Sequence, residues 1–290
     1  MLMTGALLLL VAVAAAWRVS TGRRIERVYR GETSRDANGV VVGAASFTLA
    51  GSNGSAILLL HGSGDTPQTL RFVAERLNAA GYTVHAPLLP GHGRSPRDFA
   101  RVSAASYLTA ARHALDTLRS QSAWIGVGGL SMGGALATQL AAESHDVRAL
   151  VLLAPYFIPP PVVTWAARTA PLWAIVQPHL PARGELSVHD PVARDASYAY
   201  GIFPPRALRA LVATAALGRA ALSRVTVPTL VINSREDNRI PMAVATRSLA
   251  VLHAPSERHW VSGCGHVITV DYCKETVAEL ILTFLARLVQ

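Results

Sequence analysis

The chain has 290 residues, 51% of them hydrophobic and 16% charged, which is enough apolar material for a sizeable core and too much for a disordered segment. Its 22 glycines, 17 prolines and 2 cysteines are too few and too scattered for a collagenous, low-complexity or disulfide-framework protein. The net charge of +9 comes from scattered arginines with one lysine, Lys274; there is no basic helix face and no interleaved aromatic set, so no nucleic-acid partner is expected.

Residues 2–17 run almost without polarity and are followed by Arg18, Arg23, Arg24, Arg27 and Arg30. A helix over this run reaches roughly 24 Å at about 1.5 Å per residue, against a hydrocarbon layer of about 30 Å. The pattern predicts a retained single-pass membrane anchor over 1–17, with the positive-inside rule leaving the domain over 18–290 on the cytoplasmic side. A cleaved signal peptide is the alternative: Ala14-Ala15-Ala16 suits its cleavage site, but no basic residue precedes the apolar run.

Residues 25–31 and 40–49 read as two strands around the turn signal Asp36-Ala37-Asn38-Gly39 and predict a hairpin. Further strands are predicted over 56–60, 82–86, 123–127, 149–153, 229–233 and 258–262, alternating with helices such as 67–80 and 103–120. Strands alternating with helices mean a parallel sheet covered on both faces. The alternation breaks once, between Ala154 and Val227, where Pro159-Pro160-Pro161 and Pro204-Pro205 separate apolar helical pieces. This predicts an insertion whose Trp165, Leu172, Trp173 and Ile175 form a lid over a site at the strand ends, with ordinary core as the alternative. Cys264 and Cys273 lack any cluster of zinc-ligand spacing and are expected as free thiols.

Gly129-Leu130-Ser131-Met132-Gly133 matches G-x-S-x-G, the sharp strand-to-helix turn that exposes a serine hydroxyl at the end of a sheet. The pentapeptide alone is a weak signal, but a buried strand precedes it and an alanine-rich helix over 135–142 follows. His61-Gly62-Ser63-Gly64 follows the strand over 56–60, where a second oxyanion donor belongs, so the backbone N–H groups of Ser63 and Met132 are the candidate oxyanion hole. The chain order Ser, Asp, His then points to Asp237 after one late strand and His266 after the next, with Glu236 as the rival acid. In this scheme the acid fixes the His266 tautomer and the other ring nitrogen takes the Ser131 proton. His92, in Pro90-Gly91-His92-Gly93, is expected to shape a loop rather than act as a base.

These residues resemble the serine esterases and lipases of the α/β-hydrolase fold over most of the chain after residue 50. The resemblance rests on His61-Gly62-Ser63-Gly64, Leu89-Pro90-Gly91-His92-Gly93, Gly129-Leu130-Ser131-Met132-Gly133-Gly134, Asp237 with Ile240-Pro241, and Gly265-His266-Val267-Ile268-Thr269-Val270-Asp271, in that order. It is closest to the bacterial carboxylesterase and monoacylglycerol lipase group. The resemblance implies a mostly parallel eight-stranded sheet with helices on both faces and a helical cap at about 155–225 after strand six. It implies Ser131, His266 and Asp237 as the triad, an Ile-Pro pair favouring Asp237 over Glu236, an ester substrate, no cofactor and no metal. Asn238-Arg239, where small or apolar residues are more usual, and the N-terminal run depart from the pattern.

The expected reaction is two-step acyl transfer through an acyl-enzyme, on an ester that the anchor and lid suggest is lipid-derived. The same triad serves acyltransferases, amidases and C–C hydrolases, and a non-catalytic binding protein is a further alternative.

Overall fold

The computed structural model describes residues 2–182 and 187–289, with the side chains of residues 2–8 and 10 outside the description. Strand β2 (Ser55–Leu60) has no polar face because neither face meets water. Ala56, Leu58 and Leu60 pack into one core, and Ile57 and Leu59 into the other. It is flanked by β3 (Thr83–Ala86) and β4 (Trp124–Leu130), beyond which lie β1 (Phe47–Leu49) and β5 (Val147–Leu153). After the insertion, with its short antiparallel pair β6 (Leu180–Pro181) and β7 (Ile202–Phe203), come β8 (Thr229–Ser234) and β9 (Ser256–Val261). The main sheet has the order β1-β3-β2-β4-β5-β8-β9, and every pairing is parallel except β1 with β3.

Helix α1 (Leu2–Glu32) precedes the sheet. Helix α2 (Arg71–Ala79) follows β2, and a short α3 (Pro96–Phe99) leads to α4 (Ala104–Arg119), which Ser103 and Ser106 open as a reciprocal capping box. Helix α5 (Met132–Glu143) follows β4. The insertion holds α6 (Pro161–Arg168), α7 (Ala170–Trp173), α8 (Pro191–Asp195) and α9 (Pro205–Ala221). The chain closes with α10 (Met242–Ser248) and α11 (Lys274–Ala286). Buried residues of α4, α5 and α9 share one core with one sheet face, while α2 and α11 cover the other. The result is the covered parallel sheet that alternation implies.

Two sequence expectations are corrected. Among the described residues the sheet has seven strands, not eight, because residues 25–31 continue α1 instead of forming a strand. Glu26 and Arg30 stand one helical turn apart and pair at 3.2 Å, and the Tyr29 ring lies 5.0 Å from that of Tyr200, contacts that a helix aligns. The turn at 36–39 does form, with Asp36 Oδ1 accepting the N–H groups of Asn38 and Val40, but only Phe47–Leu49 of the second segment pairs with the sheet. The second correction concerns the anchor. Among the described residues no helix is long and apolar enough to cross a membrane; part of the 1–17 run lies outside the described side chains. The expected membrane placement is therefore withdrawn.

Candidate active site

The turn between β4 and α5 holds Ser131 at φ +55°, ψ −114°, a conformation that costs a non-glycine residue about 1–3 kcal/mol. Three backbone hydrogen bonds hold it there. Ser131 N–H donates to Leu153 O (2.9 Å), and Ser131 O accepts from Gly134 N (3.0 Å) and Tyr156 N (3.1 Å). Gly133 is obligatory: a Cβ there would stand 1.9 Å from Leu60 O.

His266 follows β9 and Asp237 follows β8, so both side chains arrive at the same end of the sheet as Ser131. His266 Nδ1 lies 2.8 Å from Asp237 Oδ2, and His266 Nε2 lies 2.9 Å from Ser131 Oγ. Burial alone would raise the Asp237 carboxyl. The charge and hydrogen bond of His266, with the N–H groups of Ile240 and Arg239 on Oδ1, outweigh it and hold the group below the usual carboxylate range. An ionised Asp237 accepts from Nδ1–H, leaving Nε2 to accept from the Ser131 hydroxyl. Glu236 points elsewhere, its carboxylate accepting from Ser234 Oγ.

The loop after β2 lies against Ser131: a Cβ on Gly62 would be 3.6 Å from Ser131 Cβ. The Ser63 N–H has no acceptor among the described residues, and Met132 opens α5, where N–H groups lack intrahelical acceptors. His61 and His92 hold this loop from behind. His61 Nδ1–H donates to Gly62 O and its Nε2 accepts from Leu89 N; His92 Nδ1–H donates to Pro90 O and its Nε2 accepts from Gly64 N. Both rings are buried, and burial keeps them neutral, pushing His92 down to about 4 and His61 well below the usual imidazole range. Neutral rings of this tautomer are what the four bonds require.

A cavity of about 560 Å³ opens between Ser131, His266 and the insertion. Val162, Ile202, Phe203 and Leu211 give it an apolar wall from the insertion. Asp65 on the β2 loop lines it as well, and sequence reasoning had passed over that residue. Burial pushes the Asp65 carboxyl up to about 7 despite the Thr66 N–H that it accepts. The only signal in the sequence is an acid in the otherwise uncharged loop Gly62-Ser63-Gly64-Asp65-Thr66-Pro67. The unusual pair Asn238-Arg239 meets the insertion: Ser187 Oγ donates to Asn238 Oδ1 (3.1 Å), and Arg239 Nε donates to Ser187 Oγ (3.0 Å).

The expected free thiols are instead a disulfide, Cys264–Cys273. Their Cα atoms are 5.8 Å apart, within bonding reach, because the chain between them folds back through His266 and Asp271.

Residues 51–272 match the family model described as serine aminopeptidase, S33. The chain belongs to that family. It is 28% identical to the thermostable monoacylglycerol lipase of Bacillus sp. (strain H-257), over 86% of this chain and 96% of the relative. It is 25% identical to the carboxylesterase of Bacillus subtilis (strain 168), over 86% of this chain and 98% of that enzyme. Among solved structures it superposes with TM-score 0.77 on a protein from a study of LipS and LipT, two metagenome-derived lipolytic enzymes, at 28% identity over 86% of this chain and 99% of that one. The fold is that of the α/β-hydrolases, and this member of the family is a carboxylic ester hydrolase.

Proposed function

We propose that this hydrolase cleaves esters through Ser131, His266 and Asp237. The observation that carries the reading is the unbroken line of contacts from Asp237 Oδ2 through both ring nitrogens of His266 to Ser131 Oγ, at 2.8 and 2.9 Å. Ser131 Oγ attacks the ester carbonyl while His266 Nε2 takes its proton. The oxyanion is met by the N–H groups of Ser63 and Met132, neither of which needs to break a protein hydrogen bond to do so. His266 returns the proton to the departing alcohol, and a water activated by the same nitrogen releases the acid from the acyl-enzyme. Asp237 keeps the ring in the tautomer that accepts from Ser131 and balances the imidazolium.

The substrate in this reading is a lipid-derived or short- to medium-chain acyl ester. The apolar wall of the cavity suits an acyl chain, and two relatives named monoacylglycerol lipase and carboxylesterase support it. The insertion at about 155–225 acts as the lid that supplies this wall. Hydrolysis of p-nitrophenyl esters from acetyl to palmitoyl by the full chain tests the reading, with Ser131→Ala as control. Loss of all turnover in the control is expected, together with a chain-length optimum. Turnover that survives Ser131→Ala removes the proposal, and faster cleavage of an aminoacyl p-nitroanilide replaces esters with amides.

A further inference from the structure

Asp271 is fully buried and touches none of the reacting groups. Its carboxylate accepts four backbone N–H groups. Oδ2 takes those of Gly265 (2.8 Å) and His189 (2.8 Å), and Oδ1 takes those of Asp190 (2.9 Å) and Tyr272 (2.9 Å). Burial alone would raise this carboxyl; the four donors outweigh it and hold the group ionised, below the usual carboxylate range.

The donors fall into two pairs. Gly265 and Tyr272 belong to the loop that carries His266, whereas His189 and Asp190 belong to the insertion. Each oxygen takes one donor from each side. Beside them Val267 N–H donates to Ser187 O (2.9 Å), so the residues before and after His266 are both engaged, one by Asp271 and one by the insertion. The ring of His266 has to meet Ser131 Oγ and Asp237 together, and its backbone is fixed by this set of bonds.

We infer that Asp271 is a positioning residue for the hydrolytic reaction: it orients His266 toward Ser131 through Gly265 and fastens that loop to residues 187–190 of the insertion. The seating of the insertion and the reach of the base then become one variable, and a substrate that settles the insertion also aligns the base. The inference rests on the roles proposed above for Ser131 and His266.

Asp271→Asn is the first test, in the full chain. Whichever way the amide turns, one acceptor becomes a donor and one bond is lost on each side. The expected result is a fall in kcat of about tenfold to hundredfold on a soluble p-nitrophenyl ester, the scale at which misplaced catalytic groups are felt. The rate at which a fluorophosphonate labels Ser131 should fall in parallel, and the acid limb of the kcat/KM profile should move. A merely structural role would lower the unfolding temperature and leave kcat, labelling and the pH profile intact; that result overturns the inference.

A second pair of variants avoids the buried acid. Asp190 sits at φ −65°, which proline adopts without strain, so Asp190→Pro deletes the single N–H that the insertion gives to Oδ1. Its side chain also caps α8 by accepting from Val192 N, and Asp190→Ala controls for that loss. Asp190→Pro should lose several-fold in kcat relative to Asp190→Ala, which should stay near the parent. Equal kcat in the two variants overturns the link to the insertion. Activity persisting in Ser131→Ala would overturn the proposed reaction instead, so the two failures are distinguishable.

Discussion

Ser131 is held by backbone bonds to Leu153, Gly134 and Tyr156 and by a glycine that leaves no room for a methyl group, whereas the insertion above it exposes Val162, Trp165, Leu172, Ile175 and Val192 to solvent. The turn between β4 and α5 spends backbone strain and close packing on one side-chain position. The insertion is made of helices of a few residues each, with α9 alone long enough to bury a full face against α5. Under the proposed mechanism the contrast separates two tasks: the strand ends fix the reacting atoms, and the insertion shapes what reaches them. Changes at the first should be costly in rate, and changes at the second should alter selectivity at little cost in stability.

The largest effect should come from Asp237→Asn. It keeps the shape of the site but no longer fixes the tautomer of His266, and kcat should drop by about 10⁴-fold, with the unfolding temperature of the variant showing that the fold survives. An intact kcat would mean that the strand ends do not fix the base. Next, Cys264→Ser with Cys273→Ser opens a loop whose closure is worth about 2–3 kcal/mol in chain entropy. Urea midpoints should fall accordingly, and kcat should fall with them, since His266 lies inside that loop.

Asp65 gives a smaller, pH-dependent effect. Its folded-state value of about 7, against 3.8 when unfolded, means that the folded chain binds a proton between those values that the unfolded chain lacks. That stabilisation is present at acid pH and lost as the pH rises through about 7. Asp65→Asn should therefore raise the melting temperature relative to the parent at pH 8, and the advantage should shrink toward pH 4; a constant offset would show that Asp65 is not the group responsible. Asp237 has the opposite sign, because its depressed value contributes stability above the unfolded value that is lost as the pH falls. The smallest effect on stability should be that of Val162→Ser on α6. Val162 lines the cavity and is 69% exposed, so stability should change by no more than about 0.5 kcal/mol, while the preferred acyl chain length shifts. A large loss of stability would show that the insertion is part of the core and not a selective cover.

The serine turn was legible because its signal is local: a buried strand, G-x-S-x-G and an alanine-rich helix occupy consecutive residues. The doubly covered strands were legible for the same reason, being continuous apolar runs such as Ile57-Leu58-Leu59-Leu60. What escaped depends on distant contacts. Residues 25–31 alternate well enough to read as a strand, yet their environment is the Tyr200 ring, 171 positions downstream of Tyr29, and the backbone of Arg97, whose N–H reaches Glu26. The disulfide escaped because two cysteines in a chain of this length do not announce their approach in space. Asp65 escaped because an isolated acid carries no pattern, and Asp271, though it closes the motif after His266, gave no sign of its partners. The donors on Asp271 come from the insertion and from the chain beside His266, and only the folded chain brings them to one carboxylate.

The contact between α1 and Tyr200 bears on where the gene can be cut. Glu26 accepts from the backbone of Arg97, and the Tyr29 ring packs at a tilt against that of Tyr200. Tyr200 in turn donates its N–H to Gly64 O, next to Ser63, and its hydroxyl to Gly91 O. An expression clone beginning at residue 18 keeps this buttress, and one beginning at residue 33 discards it. The second protein would fold its sheet as before and carry a loosened loop beside Ser131, so in the proposed mechanism the choice of start codon sets catalytic quality.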